Sequence, residues 1–175
     1  MQDDPGEICS ANASGTLEVA LENTRRGAEA IRRGGGLFAA TRLAAEIAAL
    51  RLWAESSGGY RNFEDLTRPP DAFGFEHEVW FQKSGNENPR VLKATYANSF
   101  GVMPDGSEAT PIGYLERPQL QNHVFGDDIE LVGVMEPSFA LIRIITSQQA
   151  IQGRPAEIEE IEIFFSQRGF QRFCW

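Results

Sequence analysis

The chain has 175 residues, 42% of them hydrophobic, with a formal net charge of −9 and a pI near 4.8. That length buries a real core without disulfide support, and the ordinary charged content excludes a disordered chain. The acid surplus excludes the basic footprint of a nucleic-acid binder, and Cys9 and Cys174 alone make neither a zinc site nor a disulfide framework.

Charge is uneven along the chain: residues 16–57 carry six arginines and five glutamates, whereas 58–175 carry seventeen acidic and ten basic residues. Met1 to Ser14 is polar and acidic and lacks the apolar stretch of a signal peptide. No window approaches 18 uninterrupted apolar residues, so no membrane span is expected and the expected location is cytoplasmic.

Leu17, Ala20, Leu21, Thr24, Ala28 and Ile31 recur at helical spacing. Gly34-Gly35-Gly36 breaks that pattern, and Leu37 to Ala54 resumes it with Leu43, Ile47 and Leu50 on one side. The two segments predict a helical hairpin. Arg25, Arg26, Arg32 and Arg33 fall on its solvated side.

Ser57-Gly58-Gly59 ends the helical part, and Asp65 to Asp71 reads as loop. Phe75 to Gln82 and Arg90 to Tyr96 predict an antiparallel pair joined by the turn cluster Ser84–Pro89. A third helix is expected from Pro111 to near Gly126, with a kink or late start at Pro118. Asp128 to Glu136 and Phe139 to Thr146 predict two strong strands around a turn at Pro137-Ser138. Pro155 opens a last helix whose Ile158, Ile161, Phe164 and Phe165 are expected to face inward. Glu157, Glu159, Glu160 and Glu162 crowd its start, where the helix dipole favours acids. Phe170 to Trp175 reads as the opening of a further strand.

Catalytic groups are scarce. The two histidines, His77 and His123, have no serine elbow to serve, and the cysteines lie near the termini. Glu76 and Glu78 flank His77 but point to the opposite sheet face from it. Asp127-Asp128 would need a third ligand to hold a divalent ion, so no metal and no catalytic residues are assigned. Lys83 and Lys93 are the only lysines, and a strand lysine beneath a glycine loop is able to reach nucleotide phosphates.

Glycine loop, strand, strand with Lys93, helix with Glu116 and then two strands is the order of a protein-kinase small lobe. The residues concerned are Gly74-Phe75-Glu76-His77-Glu78-Val79-Trp80-Phe81, Val91-Leu92-Lys93, Phe100-Gly101 and Tyr114-Leu115-Glu116-Arg117. Phe125-Gly126-Asp127-Asp128-Ile129, Ile144-Ile145-Thr146-Ser147-Gln148 and Ile151-Gln152-Gly153 continue the run. Over roughly Ser57 to Phe173 the chain resembles the kinase domain of polyvalent proteins from phages and conjugative elements. The resemblance implies Lys93 as the phosphate-contacting lysine, Glu116 as its ion-pair partner and Ser147-Gln148 at a hinge. Gly58 and Gly59 would then form the glycine loop. The family continues into a segment that supplies a catalytic or metal-binding aspartate and asparagine, and no H-R-D or D-F-G type sequence occurs here.

The expected fold is therefore α+β: an acidic tail (1–14), a helical hairpin (15–57) and a kinase-small-lobe-like domain (58–175) of antiparallel sheet with packed helices. The expected function is non-catalytic binding of a protein partner with a basic surface, such as a host nucleic-acid-binding defence factor. The acidic patch for it comprises Glu157, Glu159, Glu160, Glu162, Asp127 and Asp128. No cofactor, direct nucleic acid or membrane is expected. The alternatives are a degenerate kinase-like domain taking ATP and Mg²⁺ through Lys93, Glu116, Gly58, Gly59 and Gln148, and a structural module of a phage polyprotein.

Overall fold

A computed structural model describes residues 13–34, 41–61, 66, 68–82, 89–102, 109–138, 141–151 and 153–170. Residues 1–12 of the expected tail, both cysteines, the turn residues 84–88 and the strand start at 171–175 lie outside the described residues, while residues 13 and 14 already belong to the first helix. The fold is α+β. Helices α1 (Ala13–Gly34) and α2 (Arg42–Ser57) precede strands β1 (Ala72–Phe73), β2 (His77–Phe81) and β3 (Arg90–Thr95). Helix α3 (Pro111–Phe125), strands β4 (Glu130–Ser138) and β5 (Leu141–Gln149) and helix α4 (Ile158–Ser166) follow. The five strands form one antiparallel sheet in the order β1-β2-β3-β5-β4.

The periodicity of α1 translates directly into burial: Leu17, Ala20, Leu21, Thr24 and Ala28 are buried. In α2 the small residues Ala45, Ala49 and Ala54 let the helices approach closely, and Leu50 and Trp53 fill the space between them. The helices cover one sheet face, where Leu131 and Val134 of β4 and Ile142 and Ile144 of β5 join the same core. Trp80, Leu92, Ala94 and Ile145 form a smaller core on the other face, as strand alternation requires.

Glu46 ties the helices together. Its buried carboxylate accepts the Ile112 N–H at 3.0 Å and pairs with Arg42 at 2.7 Å. The Thr110 side chain accepts from Gly113 N, so the positive start of α3 meets both a hydroxyl and an acid. Helix α3 therefore begins at Pro111 and runs through Pro118, which corrects the expectation of a late start.

Two further boundaries differ from expectation. Strand β4 continues through Pro137-Ser138; it is the edge strand of the ladder, bridged on its outer side by Tyr60 at Val134, and edge strands are where proline is tolerated. Helix α4 contains no buried residue, so Ile158, Ile161, Phe164 and Phe165 do not face inward as their spacing suggested. Periodicity marks an apolar face. It does not say that anything covers it.

Candidate functional site

A cleft of about 410 Å³, mouth included, opens between α3 and the helix-side face of the sheet. Register explains its floor. Val79 opposes Lys93, and Lys93 opposes Thr146, so these side chains share one face with His77 and Gln148. The wall comes from α3, where Tyr114, Arg117, Pro118 and Gln121 line the cleft at the i, i+3, i+4 and i+7 positions of one helical face.

Lys93 Nζ donates to Gln148 Oε1 at 2.8 Å and forms no salt bridge among the described residues. Burial pushes its pKa down, against the field of Asp127, which raises it. Beside it, His77 Nε2 and the Tyr114 hydroxyl share a hydrogen bond of 2.9 Å. Burial drives His77 down to about 4, so the ring is neutral at neutral pH, and raises the Tyr114 phenol to about 12. Glu76 closes one end of the cleft. Burial alone would raise its pKa, but hydrogen bonds from Arg117 (2.8 Å) and Val102 N (2.8 Å) hold it below the usual carboxylate range.

Of the five residues proposed for a nucleotide, the structure joins Lys93 and Gln148 and separates the rest. Glu116 lies on the far side of α3 from Tyr114 and Arg117 and pairs with Arg25 of α1 at 2.5 Å. Gly58, at φ 66°, is the left-handed cap that ends α2. Gly59 is buried, and its carbonyl accepts the Val134 N–H on β4 at 2.9 Å. Strand β5 separates β4 from β3, which carries Lys93, and Gly59 lies on the outer side of β4, so these glycines sit roughly 14 Å of sheet away from the lysine. Their close approach to β4 is made possible by Gly133, where a Cβ would lie 2.3 Å from Gly59 O.

The six acids proposed as one patch are partly committed elsewhere. Asp128 pairs with Arg90 at 2.5 Å and accepts the Gln149 N–H. Asp127 accepts from Gln121. Glu160 pairs with Arg154 and accepts the Glu157 N–H at 2.9 Å, which caps α4.

What composition concealed is an aromatic ridge beside those acids. Phe125, at the end of α3, meets Phe164 and Phe165 of α4 at ring-centroid distances of 6.2 and 6.0 Å. Phe170 packs edge-on against Phe165 at 5.4 Å, and the Arg168 guanidinium lies 3.6 Å from the centre of the Phe164 ring. Each of these four phenylalanines remains 36–49% exposed. Twelve phenylalanines in the sequence gave no sign which would stay outside.

No helix among the described residues is long and apolar enough to cross a membrane, and none of those residues form a group of three His, Cys, Asp or Glu suited to a metal ion. Comparison with protein-family models, with curated proteins and with solved structures finds no match for this chain.

Proposed function

We propose that the protein is a non-catalytic binding module that meets a protein partner through α4. The observation that carries this reading is that α4 buries none of its residues while Ile158, Ile161, Phe164 and Phe165, which share one helical face, all stay exposed. A contiguous apolar surface of this kind marks an interaction site more often than a scattered exposed residue does. Aromatic side chains are also the residues that dominate interface energetics.

The acids decide the kind of partner. Glu157, Glu159, Glu160 and Glu162 lie on or beside the same nine-residue helix, within a chain of net charge −9. A partner surface with an apolar groove rimmed by lysine or arginine complements such a ridge. A host nucleic-acid-binding factor has that charge, because its channel is built for phosphates. This fits the resemblance to kinase-like domains of mobile elements, where the protein would act by occupying the channel.

The test is affinity capture from a bacterial lysate with three baits: the parent chain, Phe164→Ala/Phe165→Ala and Glu159→Lys/Glu162→Lys. A protein held by the parent, lost from the aromatic variant and released from the parent by salt supports the reading, since exposed charges are screened beyond about 8 Å at physiological ionic strength. Identical capture by all three baits contradicts it.

A further inference from the structure

We infer that the cleft at Lys93 is a receptor for a small oxyanion, a carboxylate or phosphate group on a ligand that enters between α3 and the sheet. The sheet itself supplies the contrast. On its other face the half-buried cation Arg143 is fully answered: it pairs with Glu78 at 2.5 Å, donates to the Thr95 carbonyl at 2.6 Å and lies over the Trp80 ring. Lys93 has no such complement. An ammonium group carries three donors, and the only one engaged among the described residues goes to the neutral Gln148 amide. The NH₂ of that amide is also without a partner among those residues. A half-buried ammonium and an amide NH₂ side by side form a concentrated donor site that opens to the cleft.

The formal charges around the cleft balance, Lys93 against Asp127 and Arg117 against Glu76, so an anion would be drawn by proximity to Nζ and not by a net positive charge. Glu76 is held by Arg117 at 2.8 Å, so that pair contributes little net charge. His77 is neutral at neutral pH. The carboxylate whose field reaches Lys93 is Asp127, which stands beyond ion-pair distance and accepts from Gln121. An oxyanion at Nζ would replace water there with a charge-assisted hydrogen bond, the stronger kind. The Thr146 and Tyr114 hydroxyls lie along the same cleft, and Pro118 and Ile129 give it an apolar side. Neither Glu116 nor glycines 58 and 59 take part, so the site is built for one oxyanion group and not for the phosphate chain of a nucleotide.

The two lysines make a direct experiment. In the full chain labelled with ¹³C,¹⁵N-lysine, the side-chain signals of Lys93 and Lys83 are followed while inorganic phosphate, malonate or ATP is added. The expected result is a saturable shift of Lys93 with phosphate or malonate while Lys83 stays unmoved. Saturation by phosphate alone assigns a phosphate site, and by malonate alone a carboxylate site. Calorimetry on Lys93→Gln should then show affinity lower by about tenfold or more, the usual scale for losing a charged hydrogen-bond partner. If that variant does not fold, Lys83→Arg assigns the signals and the titration of the lysine itself remains the test. Parallel, unsaturated shifts of both lysines, or saturation by ATP alone, would overturn the inference.

Discussion

Helices α2 and α4 both carry large apolar side chains and end in opposite situations. In α2, Ala45, Glu46, Ala49, Leu50, Trp53 and Ala54 are all buried, and even the charged residue in that set is satisfied by Ile112 N and Arg42. In α4, four large apolar side chains between Ile161 and Phe165 are 36–57% exposed. A nine-residue helix without tertiary burial is marginal by itself, because helix nucleation is costly and short helices gain few bonds. The contrast teaches that the fold is completed by three helices and the sheet. The apolar side of α4 is left over for something else.

Core truncation should break this comparison most clearly. Leu50 is fully buried, so Leu50→Ala should cost about 2–5 kcal/mol in urea denaturation. Phe164→Ala/Phe165→Ala should fall within about 0.5 kcal/mol of the parent, as surface substitutions do. Equal losses in the two variants would mean that α4 belongs to the core after all.

A smaller effect is expected at the polar joint. Glu46→Ala leaves the Ile112 N–H and the Arg42 guanidinium without their acceptor, at a cost of about 1–3 kcal/mol. Glu46→Gln keeps an acceptor for the N–H and should lose less. If the two variants melt alike, the carboxylate's charge matters to the α3 start and its hydrogen bond does not.

How much of this was legible follows from the same pair of helices. The burial of α1 could be read from spacing because Leu17, Leu21, Thr24 and Ala28 have a whole core to face. The spacing of α4 is just as regular, yet whether a face is covered depends on where the chain places that helix, which spacing does not encode. Lys93 was legible as a polar residue in a strand, whereas the expected strand ends at Thr146 and leaves Gln148 at a hinge beyond it; β5 runs on to Gln149, and the β3–β5 register joined the two. Glu116 was chosen from the order of elements. The i, i+3, i+4, i+7 set Tyr114, Arg117, Pro118 and Gln121 held the better signal, since it places Glu116 on another side of the helix.

The smallest effect is one of pH. His77 titrates at about 4 in the folded chain, against 6.5 as the unshifted value. The unfolded state therefore binds the extra proton first, and stability should fall as pH drops from about 6.5 towards 4. The charged groups acting on His77 are Glu76, Lys93 and Arg117. Comparing urea midpoints at pH 7 and pH 5 should give a shallower decline for His77→Gln than for the parent. An equal decline would place the acid sensitivity elsewhere.

The most direct test of the account is hydrogen exchange along the chain, free and bound to the partner recovered by capture. In the free protein, amides of α2 should exchange only with global unfolding, while those of residues 158–166 exchange by local opening, since low burial sets low local stability. Adding the partner should slow exchange in 158–166 and leave α2 unchanged. Protection of α4 equal to that of α2 in the free protein, or no change in α4 on binding, would contradict the claim that this helix is an interaction surface.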